Sequence, residues 1–241
     1  MKRENLVIKL AKAKMKEVYI NLLNKDKLQF FIELLSDKLK HTEFALAYRE
    51  GRIKLRLFGE REEVARAVQI AKELGKMFIQ STNPDAEGYY IHSLEIMQQA
   101  SQKIISLDSI SSVLNHIGFP SEVSERGLVT KAPLDKVKEI VDTLHSIVME
   151  LPSEIKSQAM KKILLTVSYC TNISTDFIVE KGLKEGYFKE NNERYIVIAK
   201  TPEQCIEGLI KELNKEENKK EYEEEIKRKN KLTRIIFDEK F

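Results

Sequence analysis

Residues 106–151 read SLDSISSVLNHIGFPSEVSERGLVTKAPLDKVKEIVDTLHSIVMEL, and the punctuation of this stretch decides the fold class. Asp108 is placed to cap a helix in which Ile110, Val113, Leu114 and Ile117 recur at three- and four-residue spacing. Gly118 follows where a helix often ends in a left-handed residue, and Pro120 bars continuation. Short strands are expected at 122–124 and 128–131, joined by the turn Glu125-Arg126-Gly127. Pro133 suits the first turn of a second helix, where a missing N–H costs nothing. That helix carries Val137, Ile140, Val141, Leu144, Ile147, Val148 and Leu151, and it ends before Pro152. One such unit cannot bury its own apolar faces. The rest of the chain must supply partners, and the expected class is α+β, built from repeated helix–strand–strand–helix units.

The N-terminal region repeats the order more loosely. Residues 17–22 (EVYINL) alternate, with Val18, Ile20 and Leu22 on one face and Tyr19 and Asn21 on the other. Asp26 opens a helix with Leu28, Phe31, Ile32, Leu35 and Leu39 inward. A strand over 43–48 and the turn Arg49-Glu50-Gly51 lead to 52–58 (RIKLRLF), the cleanest alternation in the chain. Ile53, Leu55 and Leu57 face one way; Arg52, Lys54 and Arg56 face the other. A helix from Glu60 to about Lys76 completes a βαββα order, as in half of a ferredoxin-like sandwich or a KH-like domain. Both helices should cover the apolar face. The other face, with Tyr19, Ala45, Ala47 and the three cations, should stay open.

Asn-Pro and Glu-Gly within 82–88 (TNPDAEG) mark a boundary, and a short helix over 93–100 follows it. Beyond Pro152, Ser153 is placed to cap a helix reaching Tyr169, and Ser174 starts another that ends at Gly186. A hairpin through Glu190-Asn191-Asn192-Glu193 and a last helix from Pro202 to about Leu213 complete a third unit. Gly118-Phe119 answers Gly186-Tyr187, Glu125-Arg126 answers Glu193-Arg194, and Pro133 answers Pro202. A winged helix is the rival reading of 153–200, with that hairpin as its wing. The expected segments are 1–82, 83–152, 153–213 and a charged helical tail at 214–241, whose Glu and Lys stand three or four apart.

Composition narrows the function classes. A third of the 241 residues are charged, tryptophan is absent, and Lys, Glu and Ile are heavily used, a bias resembling thermophile proteins. Cys170 and Cys205 read as two buried thiols rather than a secreted disulfide framework. The basic start lacks a signal peptide's apolar core, and no apolar run is long enough to span a membrane; a soluble, cytoplasmic protein is expected. His41, His92, His116 and His145 are scattered without a second ligand at metal spacing, and no GxGxxG, GxxxxGK or GxxG appears. No catalytic residue, metal or cofactor is therefore implied. Tyr89, Tyr90, Ile91 and His92 form an aromatic cluster that reads as packing.

Pro84-Asp85 with Gly88-Tyr89-Tyr90 and Ser93-Leu94, the hairpin Arg126-Gly127-Leu128-Val129-Thr130, and Gly182-Leu183 through Tyr195 together resemble an archaeal protein family known as a domain of unknown function. The similarity runs over roughly 16–213. It implies an archaeal source, and the family brings no catalytic residues to carry over.

Charge is unevenly placed. Residues 1–83 hold 18 Lys and Arg against 11 Asp and Glu, a net of +7; residues 84–152 hold 5 against 10, a net of −5. Such asymmetry points to a polyanion or to self-association of opposed patches. Lys12, Lys14 and Lys16 precede the first expected strand, Arg49 borders the turn, and Arg52, Lys54 and Arg56 stand about 7 Å apart along one strand face, close to the spacing of nucleic-acid phosphates. Tyr19 is positioned to stack on a base. The leading expectation is a non-enzymatic, RNA-associated protein that tracks backbone phosphates without reading sequence. The alternative is a protein-interaction scaffold or homo-oligomer, in which Leu232, Ile235, Ile236 and Phe237 of the tail dock on a partner.

Overall fold

Alternation builds the first sheet. In the computed structural model, which describes residues 14–22, 25–215, 220, 222–224 and 226–227, the chain divides into two compact units, 1–100 and 101–241. The first unit opens with strand β1 (Lys14–Asn21) and, after a 3₁₀ turn at Lys25–Lys27, helix α1 (Leu28–Lys38). Strands β2 (Glu43–Arg49) and β3 (Arg52–Gly59) follow, then helix α2 (Arg61–Thr82). The antiparallel order is β1-β3-β2, so β3 is central, paired along its whole length with β1 and from Arg52 to Phe58 with β2.

The turn between β2 and β3 is shorter than the sequence suggests. Only Glu50 and Gly51 lie outside the strands, with φ of 50° and 75°. Two successive positive φ values match the right-handed twist of a tight hairpin. Every second residue of β3 is sealed: Ile53, Leu55 and Leu57 are all 0% exposed. Val18, Ile20 and Leu22 share that face, with Phe31, Leu34 and Leu35 of α1 and Val64, Ala67, Ala71, Leu74 and Phe78 of α2 completing the core. The rings of Phe31 and Phe78 stand 4.8 Å apart.

Helix α2 outruns the expected end at Lys76 because its buried stripe continues through Phe78 and Ser81 at helical spacing. Its start is held by a capping box between Glu60 and Glu63. Strand β4 (Tyr90–His92) and helix α3 (Leu94–Ser101) follow. The loop before β4 is tied by Asp85, whose Oδ1 accepts from the backbone N–H groups of Glu87 (3.0 Å) and Tyr89 (2.8 Å).

The second unit begins with α4 (Leu107–His116), the hairpin β5 (Ser121–Ser124) and β6 (Gly127–Thr130), and α5 (Leu134–Met149). It continues with α6 (Gln158–Thr171), α7 (Thr175–Lys184), the hairpin β7 (Phe188–Glu190) and β8 (Ile196–Ile198), and α8 (Pro202–Leu213). The protein is thus mixed α+β, with small antiparallel sheets throughout.

Several boundaries differ from the sequence reading. Ser106, not Asp108, caps α4, accepting the N–H of Ser109, and Asp108 lies in the first turn. Helix α6 starts at Gln158 under a Ser157 cap, because Pro152–Ile155 closes a turn (Ile155 N–H to Pro152 O, 3.1 Å) that buries Ile155 first. Pro133 is itself the cap of α5, whereas Thr201 caps α8 with Pro202 one position inside. Helices α4 and α6 meet across small side chains, with the buried hydroxyls of Ser112 and Thr166 2.9 Å apart.

The tail helix is not wholly solvated. The Tyr222 ring packs tilted against Phe177 at 5.3 Å between ring centres, and its hydroxyl accepts from the backbone N–H of Ser174 at 3.1 Å. Leu232, Ile235, Ile236 and Phe237 lie outside the described residues. Cys170 and Cys205 are both free, the first half-buried and the second fully buried, and burial pushes both thiols up. Among the described residues no helix is long and apolar enough to cross a membrane.

Gly182 allows α7 to close on its hairpin, since a β-carbon there would overlap the edge of the Phe188 ring. An alanine in a helix interior is normally worth about 1 kcal/mol over glycine. Here overpacking should outweigh that gain, and Gly182→Ala is expected to lower the unfolding free energy by about 1–3 kcal/mol. Denaturant unfolding of the variant measures it; a gain in stability would refute this packing.

Candidate nucleic-acid interface

Antiparallel pairing decides which predicted side chains meet. Arg56 lies opposite Glu17 on β1 and Ala45 on β2; Lys54 lies opposite Tyr19 and Ala47; Arg52 lies opposite Asn21 and Arg49. Directly opposed residues share a sheet face, so these nine side chains form one three-by-three array. It is the face turned away from the core. Tyr19 is 61% exposed, and the alanines of β2 leave room beside the cations.

Lys14 and Lys16 are not part of this array. They open β1 rather than precede it and pair with Gly59 and Leu57, which puts them on the core-side face at the exposed end of the strand. Lys12 lies outside the described residues. The structure therefore brings together Tyr19, Arg49, Arg52, Lys54 and Arg56 and sets Lys14 and Lys16 apart.

The residue missing from the sequence-derived set is Glu17. Its Oε1 accepts from Lys54 Nζ at 2.8 Å and from Arg56 Nε at 3.2 Å, and its Oε2 accepts from the Tyr19 hydroxyl at 2.8 Å. Lys54 also stands over the Tyr19 ring, 5.6 Å from its centre. The signal was present in the sequence. Glu17, Tyr19 and Asn21 share the parity of the open face, but linking Glu17 to Arg56 requires the β1–β3 register across 39 positions.

These bonds set the charge state. Hydrogen bonding by Lys54 and then Tyr19 holds the Glu17 carboxyl below the usual glutamate range, and the same contact raises Lys54. A carboxyl lowered in the folded state adds stability above its unfolded value, and that stability is lost as pH falls through the folded value. With the Glu17 side chain 27% exposed and water close by, the gain is small. The other end of the array is different. Arg49 and Arg52 face each other across the hairpin end, where like charges disfavour one another. Arg49 Nε reaches Glu50 only at 3.8 Å, between side chains 90% and 86% exposed. Among the described residues no carboxylate pairs with Arg52.

A serine–histidine pair elsewhere has hydrogen-bond geometry but no access. Ser81 Oγ lies 2.6 Å from His92 Nδ1, and both residues are 0% exposed. Tyr90 stacks on the His92 ring at 5.7 Å. His116 Nδ1 lies 2.8 Å from the carbonyl of Ser112. Among the described residues no three His, Cys, Asp or Glu side chains are grouped to hold a metal ion.

Fold and face define a mixed α+β protein with a basic sheet face bridged by one carboxylate. The chain belongs to the family described as "Uncharacterized protein conserved in archaea (DUF2067)", whose model matches residues 20–207. That span covers most of the resemblance read from the sequence. An uncharacterized protein from Methanocaldococcus jannaschii is 24% identical over 149 residues, covering 61% of this chain and 71% of that protein. Another from Methanococcus vannielii is 30% identical over 161 residues, covering 63% of this chain and 73% of that protein. No solved structure matches the chain.

The bonding around Glu17 is directly measurable. Carbon-detected NMR titration should place its carboxyl below an ordinary glutamate, and Lys54→Ala should move it back up. A Glu17 that titrates normally in the unsubstituted protein would mean the bridge does not persist in solution.

Proposed function

We propose that the protein is a non-enzymatic RNA-associated protein that binds structured RNA electrostatically through the open face of β1, β3 and β2. The observation that carries this reading is the array itself. Four cations from two strands, Arg49, Arg52, Lys54 and Arg56, converge on one solvent-facing surface beside an exposed tyrosine. Cations at strand spacing can follow successive phosphates, and Tyr19 offers a ring for an unpaired base. No aromatic pair of the kind an RNA-recognition sheet uses stands on the face, so discrimination between sequences should be slight. The absence of GxxG leaves a KH-type grip on the backbone without its glycines. The β1-α1-β2-β3-α2 unit is read as the ferredoxin-like half-sandwich rather than a KH domain.

We infer as well that the second unit holds two copies of one motif. The serine caps Ser106 and Ser174, the ten-residue helices α4 and α7, and the glycines Gly118 (φ 89°) and Gly186 (φ 70°) all stand 68 residues apart. So do the closing bonds from Phe119 N–H to Leu114 O (2.9 Å) and from Tyr187 N–H to Gly182 O (2.8 Å). A winged helix would not require this offset. It favours the repeat.

The triple substitution Arg52→Ala, Lys54→Ala, Arg56→Ala tests the RNA reading. Single-stranded and hairpin RNA should bind at low salt with affinity that falls steeply as salt rises, and the variant should bind at least tenfold more weakly while melting as a folded protein. Equal affinity in variant and unsubstituted protein would remove this face from consideration.

A further inference from the structure

The array contains two regions of unequal readiness, and their difference is set by Glu17. Around Glu17, three donors already converge on one carboxylate: the Lys54 ammonium, the Arg56 guanidinium and the Tyr19 hydroxyl. A phosphodiester group is also a singly charged anion with two unshared oxygens, and its usual partners are the same donor types. At the hairpin end, Arg49 and Arg52 oppose each other with Asn21 beside them on β1, and among the described residues the only carboxylate paired there is the exposed Glu50, 3.8 Å from Arg49.

We propose that Glu17 is an internal surrogate for a nucleic-acid phosphate, which holds the Lys54–Arg56 seat closed so that an incoming RNA strand engages first and chiefly at the Arg49–Arg52 pair. This rests on the RNA-binding reading and adds a subsite order to it.

The physical argument is one of exchange. A phosphate at the Lys54–Arg56 seat must break the bonds of Glu17 or share them with it, and it gains little charge neutralisation because one negative charge replaces another. A phosphate at Arg49–Arg52 displaces only the long 3.8 Å contact of the solvent-exposed Glu50 with Arg49, and it relieves the repulsion between two opposed cations. Counterion release, which drives this kind of binding, is therefore available at the hairpin end and largely withheld at the other. The closed seat also has a use. A half-neutralised face rejects isolated anions and favours a strand long enough to hold the first seat while competing for the second.

Fluorescence anisotropy with a labelled twelve-residue oligouridine, over a series of salt concentrations, separates the possibilities. With Glu17 in place, Arg49→Ala with Arg52→Ala should lower affinity at least tenfold, and Lys54→Ala with Arg56→Ala less than threefold. Glu17→Gln should raise affinity about threefold to tenfold and steepen the log–log salt slope by about 0.7, the value for one further phosphate on a single strand. In the Glu17→Gln background, Lys54→Ala with Arg56→Ala should abolish that gain. Melting curves confirm that each variant is folded. If Glu17→Gln leaves affinity unchanged or weakens it, or if the Arg49–Arg52 and Lys54–Arg56 double substitutions cost the same, the surrogate role is wrong while RNA binding stands. If neither the unsubstituted protein nor Glu17→Gln binds the probe in a salt-dependent way, the RNA reading falls and takes this inference with it.

Discussion

Everything in the first unit depends on the two-residue period of β3. Its apolar residues Ile53, Leu55 and Leu57 are sealed against two helices, and that burial fixes which way the intervening side chains point. A slip of one residue would drive Arg52, Lys54 and Arg56 into the core and expose the aliphatic row, at a cost far above what a small domain can bear. The core thus dictates the surface. The basic face is the other side of the hydrophobic pattern, held as firmly as the core itself.

That constraint also explains why charge on the face is partly cancelled. With β3 between β1 and β2, each cation acquires a neighbour on both sides, and the chain supplies a carboxylate at only one of those positions. Glu17 ties down Lys54 and Arg56 and fixes the Tyr19 hydroxyl, so the inner part of the array is ordered. The hairpin end receives alanine-free, carboxylate-poor neighbours instead. Order at one end and unbalanced charge at the other follow from one register.

Much of this was legible from sequence where the signals were local. Helix α8 was placed at its observed bounds because Pro202 stands at the first helical position and Leu213 ends the apolar stripe. Gly118 and Gly186 marked helix ends by their left-handed backbone, and the alternation of β3 gave both faces. What failed was local imitation or distant pairing. Ser153 after Pro152 looked like a cap, yet the helix waits for Ser157 because Ile155 is buried first. The outer end of β1 was missed because Lys14 and Lys16 carry no strand pattern of their own and are ordered by partners more than forty residues away. Glu17 is defined in the same way, by partners on β3 that only the register brings to it. Tyr222 stands in a charged run with no periodic pattern of its own, and only the position of Phe177 makes it an anchor.

The most direct test of the account is photochemical crosslinking of RNA to the protein inside archaeal cells, with the modified residues located by mass spectrometry. Nucleotide adducts on Tyr19 or on peptides spanning β1 to β3 are the predicted outcome, since an exposed ring beside the cations is where a base would rest. Adducts confined to residues 101–227, or recovery of the protein free of nucleotide under conditions that label other RNA-binding proteins, would contradict the claim that this sheet face binds RNA.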